Sequence, residues 1–598
     1  MMDERKMLIR NMKALDSRYN PELQLLRSPF SSPGYHTTLT GVEWVHATRD
    51  SLNYALGLLD TELAEYETRA LQVIARVISL QDTDPGRNTF GIWPWFCEEP
   101  LERMAPPDWN WADFCGSRLI TALCRHGHRF PEELRAAVIR SVQYACEAIR
   151  KRNVGPDYTN IAILGTFVTL IYGERYAHQE FENYGLDRLT RLYEHTRRRE
   201  VFEEYNSPVY TYIAILELSK LRGLTLNGKA REMCDKLLQM TWKTVAEHYH
   251  VATRQWSGPH ARRYETLLDE RSKAFLQLAT QGRVMFYSWE RLPYEEEWFG
   301  SGMACPPEYL DGFTLPDTRL ITQWYRGDRG ETSERWATTY ITPQYSLGTF
   351  DESDFWNQRS VLLAYADNGG SPVYLRLRFL HDGYDFCSAL FHSRQRRERV
   401  WFGVDFASNG GDTHINLDRI DGSMQAEDLR LRLELGGELA GADIREVKNG
   451  AVIQIGGLQF SFKSWLTLFV EESDPHQALF AEESDPYQAL FAGESDPHQA
   501  LFAGEPDPRQ TFAWELNRAG ANGTMTLDLV LYSGPRKTIA LDRMKQAALV
   551  MSLAAGAETP NDSEMSPLIE REGELVKVTH RDFADGPPLY LHLRPRRI

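Results

Sequence analysis

The first half of the chain carries hydrophobic residues at helical spacing. In TELAEYETRALQVIARVISLQ, the apolar residues Leu63, Tyr66, Ala70 and Val77 recur so that they share one face of a helix. The segment PEELRAAVIRSVQYACEAI repeats this pattern further along the chain. Both segments therefore predict amphipathic helices with one buried face and one polar face.

A second kind of helix alternates with the first. The segments IAILGTFVTLIY (161–172) and VYTYIAILEL (209–218) are apolar nearly all round, which predicts helices that are buried on every side. An alternation of half-buried and fully buried helices is typical of an outer ring wrapped around an inner ring. We therefore predict an N-terminal α/α toroid over residues 1–335, as an incomplete or a full (α/α)6 barrel.

From about residue 336 the hydrophobic period changes from helical to two. The alternating apolar positions are Val373, Leu375, Leu377 and Phe379; Leu429, Leu431, Leu433 and Leu435; Met525, Leu527, Leu529 and Leu531; and Leu589, Leu591 and Leu593. Glycine-rich turns separate these runs. The pattern predicts a C-terminal antiparallel β-sandwich over residues 336–598, so the predicted fold class is a multidomain α+β protein.

An insert with an eleven-residue repeat interrupts the predicted sandwich at 471–513. Near-identical copies of EESDPHQALFA place Asp474, Asp485, Asp496 and Asp507 at even spacing. Metal or partner binding is one interpretation of the repeat. We favour a tolerated surface extension between two strands, because exposed loop tips accept insertions readily.

Polar and aromatic clusters precede the apolar helices at intervals of about 50 residues, the length of one helical hairpin in a repeat array. These clusters are PDWNWAD (107–113), PDYTNIA (156–162), EYNSPVY (204–210) and WSGPHARRY (256–264). Parallel inner helices would bring their N-terminal ends to one mouth, where unpaired N–H groups favour anions. Caps and turns explain the Pro and Asp residues. They leave unexplained the aromatic and imidazole groups, which are Trp109, Trp111, Tyr158, Tyr205, His260 and Tyr264.

Composition and charge narrow the classes of function. A net charge of −17 argues against a general nucleic-acid binder. Seven scattered cysteines form no CxxC pair, so neither disulfides nor a structural zinc is expected. No signal peptide or membrane span is visible, and we expect a cytoplasmic protein without a membrane partner. The chain has no HExxH, GxSxG, P-loop or dinucleotide-binding motif, so we expect no metal and no cofactor.

The segment WSGPHARRYE (256–265) is the densest group of reactive side chains. An imidazole, guanidiniums and a phenol could together remove the proton next to a carboxylate and return a proton to a leaving oxygen. This chemistry is β-elimination from a uronic acid, which requires neutralisation of the carboxylate. Asn160 and Asn206 are the amide candidates for that task, and Tyr264 or Tyr205 is the base and acid.

Two alternatives remain open. A glycoside hydrolase needs two opposed carboxylates, and Asp113, Asp157 and Glu203 or Glu204 are candidates at the same helix ends. The third hypothesis is a glycan-binding protein without catalysis.

The layout resembles polysaccharide lyases of the chondroitin/hyaluronan, alginate and heparinase II/III-like groups. PDWNWADFCGSRLITAL resembles the Asn-Trp segment that opens an inner helix in the chondroitin lyases, and PDYTNIA falls where those enzymes place a catalytic asparagine. GPHARRYE resembles their arginine-containing active-site stretch, and YITPQYSLGTFDESDFWNQR (340–359) resembles a segment of heparinase-like bacterial proteins. The family's catalytic histidine stretch has no clear counterpart, since EYNSPVY stands in its place.

The sequence therefore favours a lyase that acts on an acidic oligo- or polysaccharide. In this hypothesis Asn160 neutralises the uronate, aided by Arg262, and Tyr264 is the base and acid, with His260 beside it. The predicted substrate-binding residues are Trp109, Trp111, Tyr158, Tyr205 and Asn206.

Overall fold

The computed structural model describes residues 3–328, 330–331, 333–410, 420–471, 513–520, 523–558, 560–583 and 586–598. The chain divides into two compact units. The helical unit comprises Met1–Ala246 and Leu268–Thr314, and the strand-rich unit comprises Glu247–Leu267 and Leu315–Ile598. An N-terminal helical region and C-terminal sheets are therefore both present, as the hydrophobic periods predict.

The helical unit is built from helical hairpins. Its helices are α1 Glu4–Leu15, α2 Thr48–Asp60, α3 Ala64–Ile78, α4 Trp111–His126, α5 Glu132–Arg152, α6 Thr159–Arg175, α7 Gln179–Arg199, α8 Tyr210–Leu224, α9 Gly228–His248 and α10 Glu270–Ala279. A small sheet joins β1 Tyr19–Asn20, β2 Leu25–Pro29 and β3 Trp44–His46. The end of α9 already belongs to the strand-rich unit.

The helices are of two kinds, as predicted. Residues Thr159–Gly173 of α6 are all buried, and most of α4 and α8 is buried as well. By contrast, α5 and α7 bury one face only. Helix α4 packs against both α2 and α6, and α6 packs against α8, while α3 packs against α5. Helices α2, α4, α6 and α8 therefore pack one against the next, and the nearly all-apolar surface of α6 is buried on every side, as such a surface requires.

The strand-rich unit contains two large antiparallel sheets. The nine-stranded sheet contains β6 Arg319–Arg326, β7 Arg335–Ile341, β8 Tyr345–Phe350, β10 Leu362–Asn368, β11 Ser371–His381, β12 Tyr384–Asp385, β15 Met424–Gly437, β19 Ala513–Asn517 and β20 Met525–Ile539. The seven-stranded sheet contains β9 Glu352–Asp354, β13 Ala389–Arg396, β14 Arg399–Phe406, β16 Asp443–Val447, β17 Gly450–Ile455, β18 Leu458–Glu471 and β21 Met544–Gly556.

Smaller elements complete this unit. A three-stranded sheet is formed by β22 Leu568–Glu572, β23 Leu575–Thr579 and β24 Leu589–His592, and a two-stranded ribbon by β4 Tyr249–His250 and β5 Gln255–Trp256. A four-residue helix, α11, spans Asp562–Met565. The alternating apolar residues of β11 and β15 lie in one core with residues of β14 and β18. The two large sheets thus share a hydrophobic core, as in a β-sandwich.

The unit boundaries differ from the expected division at 335/336. The chain passes from one unit to the other at Thr314–Leu315, and Glu247–Leu267 groups with the strands. Backbone bonds explain this grouping: His260 forms a bridge with Ser360, and the Thr339 hydroxyl donates to the carbonyl of Gly258 over 2.8 Å. The segment WSGPHARRYE is therefore held by strands and not by the helices that precede it.

Two further sequence predictions concern the rest of the chain. The repeats within 471–513, with Asp474, Asp485, Asp496 and Asp507, lie outside the described residues except for their ends in β18 and β19. In the described part of the chain, no helix combines the length and the apolar character that crossing a bilayer needs.

Candidate functional site

A cavity of about 380 Å³ lies in the helical unit, where the N-terminal halves of five helices meet. Its volume falls within the range of small-molecule sites in proteins. The helices α2, α4, α6, α8 and α10 supply, in chain order, Arg49, Asp50 and Asn53; Phe114 and Arg118; Leu164; Ile213, Leu216 and Glu217; and Arg271. Residues from the N-terminal halves of α2, α4, α6, α8 and α10 therefore line one hollow within this unit.

The remaining lining of the cavity comes from α1 with the chain that follows it, and from the segment 294–297. The first of these supplies Asn11, Leu15, Arg18 and Leu26, and the second supplies Tyr294 and three consecutive glutamates. The amide of Asn11 donates a hydrogen bond of 3.0 Å to Glu296 Oε2. This bond joins the two parts of the lining.

Four of the charged side chains in the lining are each more than one-third exposed to solvent. Arg49 exposes 39% of its side chain, Asp50 35%, Arg271 37% and Glu295 36%. Arg49 Nε lies 3.2 Å from Asp50, and Arg271 Nη2 lies 3.2 Å from Glu295. These two cations and two anions of the lining are therefore accessible to a ligand group.

Behind these residues lies a buried ion-pair network. Arg118 Nη2 contacts Glu297 Oε2 at 2.7 Å, and Lys220 Nζ contacts Glu217 Oε1 at 3.0 Å. Arg118 and Glu217 approach to 3.8 Å, and Arg271 also pairs with Glu297. Four residues of this network are each more than nine-tenths buried: Arg118, Glu217, Lys220 and Glu297. Buried charges persist only when they are paired, so this network is a fixed structural element.

Glu296 and Glu297 are neighbours in the chain, but their surroundings shift their pKa values in opposite directions. Burial, together with the neighbouring carboxylates, raises the pKa of Glu296 to about 7. The pKa of Glu297 is lowered to about 2, because Arg271 and Arg118 outweigh the effect of burial. Carboxyl groups whose environments separate their pKa values in this way are characteristic of acid–base sites. Glu296 can accept or release a proton near neutral pH, whereas Glu297 stays ionised.

Three of the predicted site residues lie around the start of α4 and α6. Asn160 is 4% exposed in the first turn of α6, and its Oδ1 atom is buried without a hydrogen-bond partner. The half-buried Tyr158 accepts a bond of 3.4 Å from Asn110. The indole of Trp109, also half-buried, donates to the Asn88 carbonyl over 3.1 Å.

Three others are almost entirely buried. Trp111 is 8% exposed, donates to the Thr48 hydroxyl over 2.9 Å, and packs against Trp95 with 5.0 Å between ring centroids. Tyr205 and Asn206, just before α8, are 1% and 2% exposed. Asn206 adopts a positive φ of 51°, which asparagine tolerates better than most residues. Because they are so deeply buried, Trp111, Tyr205 and Asn206 present no broad surface to solvent.

The other predicted catalytic residues belong to the strand-rich unit. His260 is 1% exposed, whereas the Tyr264 side chain is 52% exposed. Arg262 donates from Nε to Gln358 Oε1 over 2.8 Å and lies 5.4 Å above the ring of Trp356. The predicted set is therefore divided: Asn160 and the five substrate-binding residues lie in the helical unit, and His260, Arg262 and Tyr264 in the other.

The carboxylates of the hydrolase alternative are dispersed. Asp157 is exposed, Glu203 lies 3.1 Å from His195, and Glu204 is half-buried. Asp113 is 2% exposed, and its Oδ1 has no hydrogen-bond partner. Burial raises the pKa of Asp113 to about 7, because its effect is larger than the opposing effect of the positive charge of Arg188. None of these four carboxylates lines the 380 Å³ cavity.

Sequence reasoning missed the residues that do line the cavity. The motif YEEEW (294–298) has the composition of a solvated acidic loop, and Arg49 stands alone in its segment. One feature of the sequence could have identified this segment: two large aromatic residues flank the three glutamates. Both are buried in the structure, where Tyr294 is 5% exposed and Trp298 only 1%. Acidic residues between two core aromatics are held close to the interior.

Comparisons with known proteins find only distant similarity to this chain. A family model described as Domain of unknown function (DUF8769) matches residues 5–280. A comparison with curated protein sequences finds no match. Among solved structures, the chain is similar to the crystal structure of heparinase III, with 9% sequence identity and a TM-score of 0.41, covering 99% of this chain and 91% of that chain. The region matched by the family model includes every α-helical residue that lines the cavity, but not Tyr294 or the three glutamates that follow it.

Proposed function

We propose that the chain is a carbohydrate-active enzyme that cleaves a uronic-acid-containing glycan by β-elimination. We further propose that its helical unit is an α/α toroid, with the 380 Å³ cavity at its mouth as the sugar site. The observation that carries the proposal is the convergence of α2, α4, α6, α8 and α10 on one hollow that holds the partly exposed guanidiniums of Arg49 and Arg271.

The chemistry follows from the charges of the cavity. A guanidinium binds a carboxylate through two parallel hydrogen bonds and so makes the neighbouring C–H more acidic. A base removes this proton, the electron pair forms a carbon–carbon double bond, and the glycosidic C–O bond at the β carbon breaks, its oxygen leaving with the proton that the protonated base returns. Glu296 suits the base, because its pKa of about 7 allows it to gain and lose a proton at neutral pH.

The residues predicted from the sequence make up a second catalytic set. In that set Asn160 and Arg262 neutralise the uronate, Tyr264 is the base and acid, and His260 assists it. The burial of Asn160, with its unpartnered Oδ1, suits an amide held for a ligand, whereas the exposed Tyr264 suits a group that meets substrate from solvent. The two sets make different predictions for single variants.

The test measures the conjugated double bond by near-ultraviolet absorbance with a panel of hyaluronan, alginate, heparan sulfate and polygalacturonate. Arg49→Gln should lower kcat/KM about tenfold to a hundredfold, the worth of one charge-assisted contact. The control Arg197→Gln removes a guanidinium of similar type, 53% exposed on α7, and should change nothing. Loss of activity in Tyr264→Phe, with full activity in Arg49→Gln, would move the reaction to the second set. Absence of unsaturated product from every glycan would refute the lyase.

A glycoside hydrolase is the second candidate, and the observation that supports it is a pair of carboxylic acids in the lining of the cavity. Hydrolysis needs one protonated and one ionised carboxyl group on either side of the scissile bond. Glu296, with its raised pKa, and the partly exposed Asp50 both line the cavity. A hydrolase would release reducing ends without near-ultraviolet absorbance, and a glycan-binding protein would release neither.

We also propose that the enzyme acts in the cytoplasm on short acidic oligosaccharides. The seven cysteines, all within described parts of the chain, form no disulfide with one another, which is the usual state in a reducing compartment.

A further inference from the structure

We propose that the cavity holds the terminal sugar of its glycan, so that the protein acts on chain ends and not within a polymer. This inference rests on the proposed function, and it assigns the direction of attack, which neither the sequence nor the comparisons specify. It follows from three properties of the cavity: a firmly attached wall, a sealed interior and a small volume.

The wall formed by α1 is fixed along its length. At one side, Arg10 Nη2 donates to the Leu292 carbonyl over 2.7 Å, and Asn11 donates to Glu296 over 3.0 Å. At the other side, the carboxylate just after α1, Asp16, accepts hydrogen bonds from three side chains of α2 and α3, which are Tyr54, Tyr66 and Arg69. A chain that runs past this wall would have to break contacts on both sides.

The interior of the cavity is sealed by the ion-pair network. Arg118, Glu217 and Glu297 line the cavity but are each at least 92% buried, and their charges are paired with one another or with Lys220 and Arg271. Opening a passage there would leave buried charges uncompensated, which is strongly destabilising. A sugar can therefore enter between the exposed charges but cannot continue through the network.

The volume sets the length of the bound segment. A space of about 380 Å³ lies near the lower end of the range for small-molecule sites, so it accommodates one or two sugar rings. The four partly exposed charges suit a terminal uronate, because Arg49 and Arg271 can bind its carboxylate while Asp50 and Glu295 accept hydrogen bonds from its hydroxyl groups. A residue in the middle of a polymer would have to leave the cavity at two places.

The experiment compares the full-length protein on two forms of one oligouronate, a hexamer with free ends and the same hexamer blocked at both ends by bulky groups. The oligouronate is prepared from whichever glycan of the panel is cleaved. We expect mono- or disaccharide as the first product from the free hexamer, and at least a hundredfold lower rate on the blocked form. Mid-length fragments at low conversion, or equal rates on both forms, would overturn chain-end action while leaving the cleavage function intact.

A binding measurement covers the case in which no glycan is cleaved, which would refute the proposed function itself. Tryptophan fluorescence is then titrated with free glucuronate, free galacturonate and the doubly blocked hexamer of polygalacturonate. We expect a free uronate to bind, Arg49→Gln to weaken its binding at least tenfold, and the control Arg197→Gln to bind as before. Binding of the blocked hexamer alone, or of no probe, would overturn the inference.

Discussion

Asp113 gives the sharpest test of the buried electrostatics in the helical unit. Its carboxyl is 2% exposed between α4 and α6, with Oδ1 unpartnered. Burial raises its pKa from 3.8 to about 7. A proton is therefore bound more tightly in the folded chain than in the unfolded chain. The stability that this proton contributes is fully present below pH 3.8 and is lost as the pH rises through about 7.

The magnitude follows from the two pKa values. A difference of about 3 pH units corresponds to about 4 kcal/mol of folding free energy, and roughly 2–3 kcal/mol of this is lost between pH 5 and pH 8. Asp113→Asn removes the titration but keeps the shape of the side chain. The free energy of unfolding of this variant, relative to the parent chain, should therefore rise by roughly 2–3 kcal/mol between pH 5 and pH 8. Removal of a charge near Arg188 has a cost that is the same at every pH, so it cancels when pH 5 and pH 8 are compared.

The assay is urea unfolding of the full chain, followed by the far-ultraviolet circular dichroism of its helices, at several pH values from 5 to 8. Asp187→Asn on α7 serves as the matched control, because its side chain is 64% exposed. Its difference from the parent should stay within about 0.5 kcal/mol at every pH, as for most surface substitutions. Parallel pH curves for Asp113→Asn and the parent chain would refute the reasoning.

Two further predictions concern packing in the same unit. Glu297→Gln leaves two buried or half-buried guanidiniums without their shared carboxylate, and urea unfolding should show a loss of about 3–5 kcal/mol; a loss below about 1 kcal/mol would mean that water replaces the carboxylate. Gly185→Ala places a methyl group 2.6 Å from the backbone nitrogen of Leu170, so it should cost about 1–3 kcal/mol. The control Gly223→Ala on α8 meets nothing within 4 Å and should stabilise the helix by up to about 1 kcal/mol; equal effects of the two alanines would contradict close packing of α6 on α7.

The two classes of helix and the strands could be predicted from the sequence because burial leaves a periodic trace in one dimension. The segment 161–172 is apolar on every face, and the structure buries the whole of it in α6. Leu429, Leu431, Leu433 and Leu435 alternate with polar residues, and all four lie in the core of the sandwich. These patterns are local, so neither needs a knowledge of partners distant in the chain.

The candidate site could be predicted only in part. Residues from the N-terminal halves of five helices line the cavity, but the sequence-predicted Asn160, Asn206 and His260 are not among its lining residues. Among the residues chosen for their aromatic and amide content, Trp111 and Asn206 lie at those ends and are almost entirely buried. On α4 and α8 the charged residues that line the hollow, Arg118 and Glu217, come about two turns after the helix begins.

The sequence by itself determined where the chain is helical, where it is extended and which faces are apolar, because hydrophobic spacing and turn residues act over a few positions. Only the tertiary structure decided which charges meet. Arg118, Glu217 and Glu297 are separated by 99 and 80 residues along the chain, as their numbers show, yet they form one network. Charge pairing depends on distances in space of a few ångströms, and one-dimensional spacing carries no record of them.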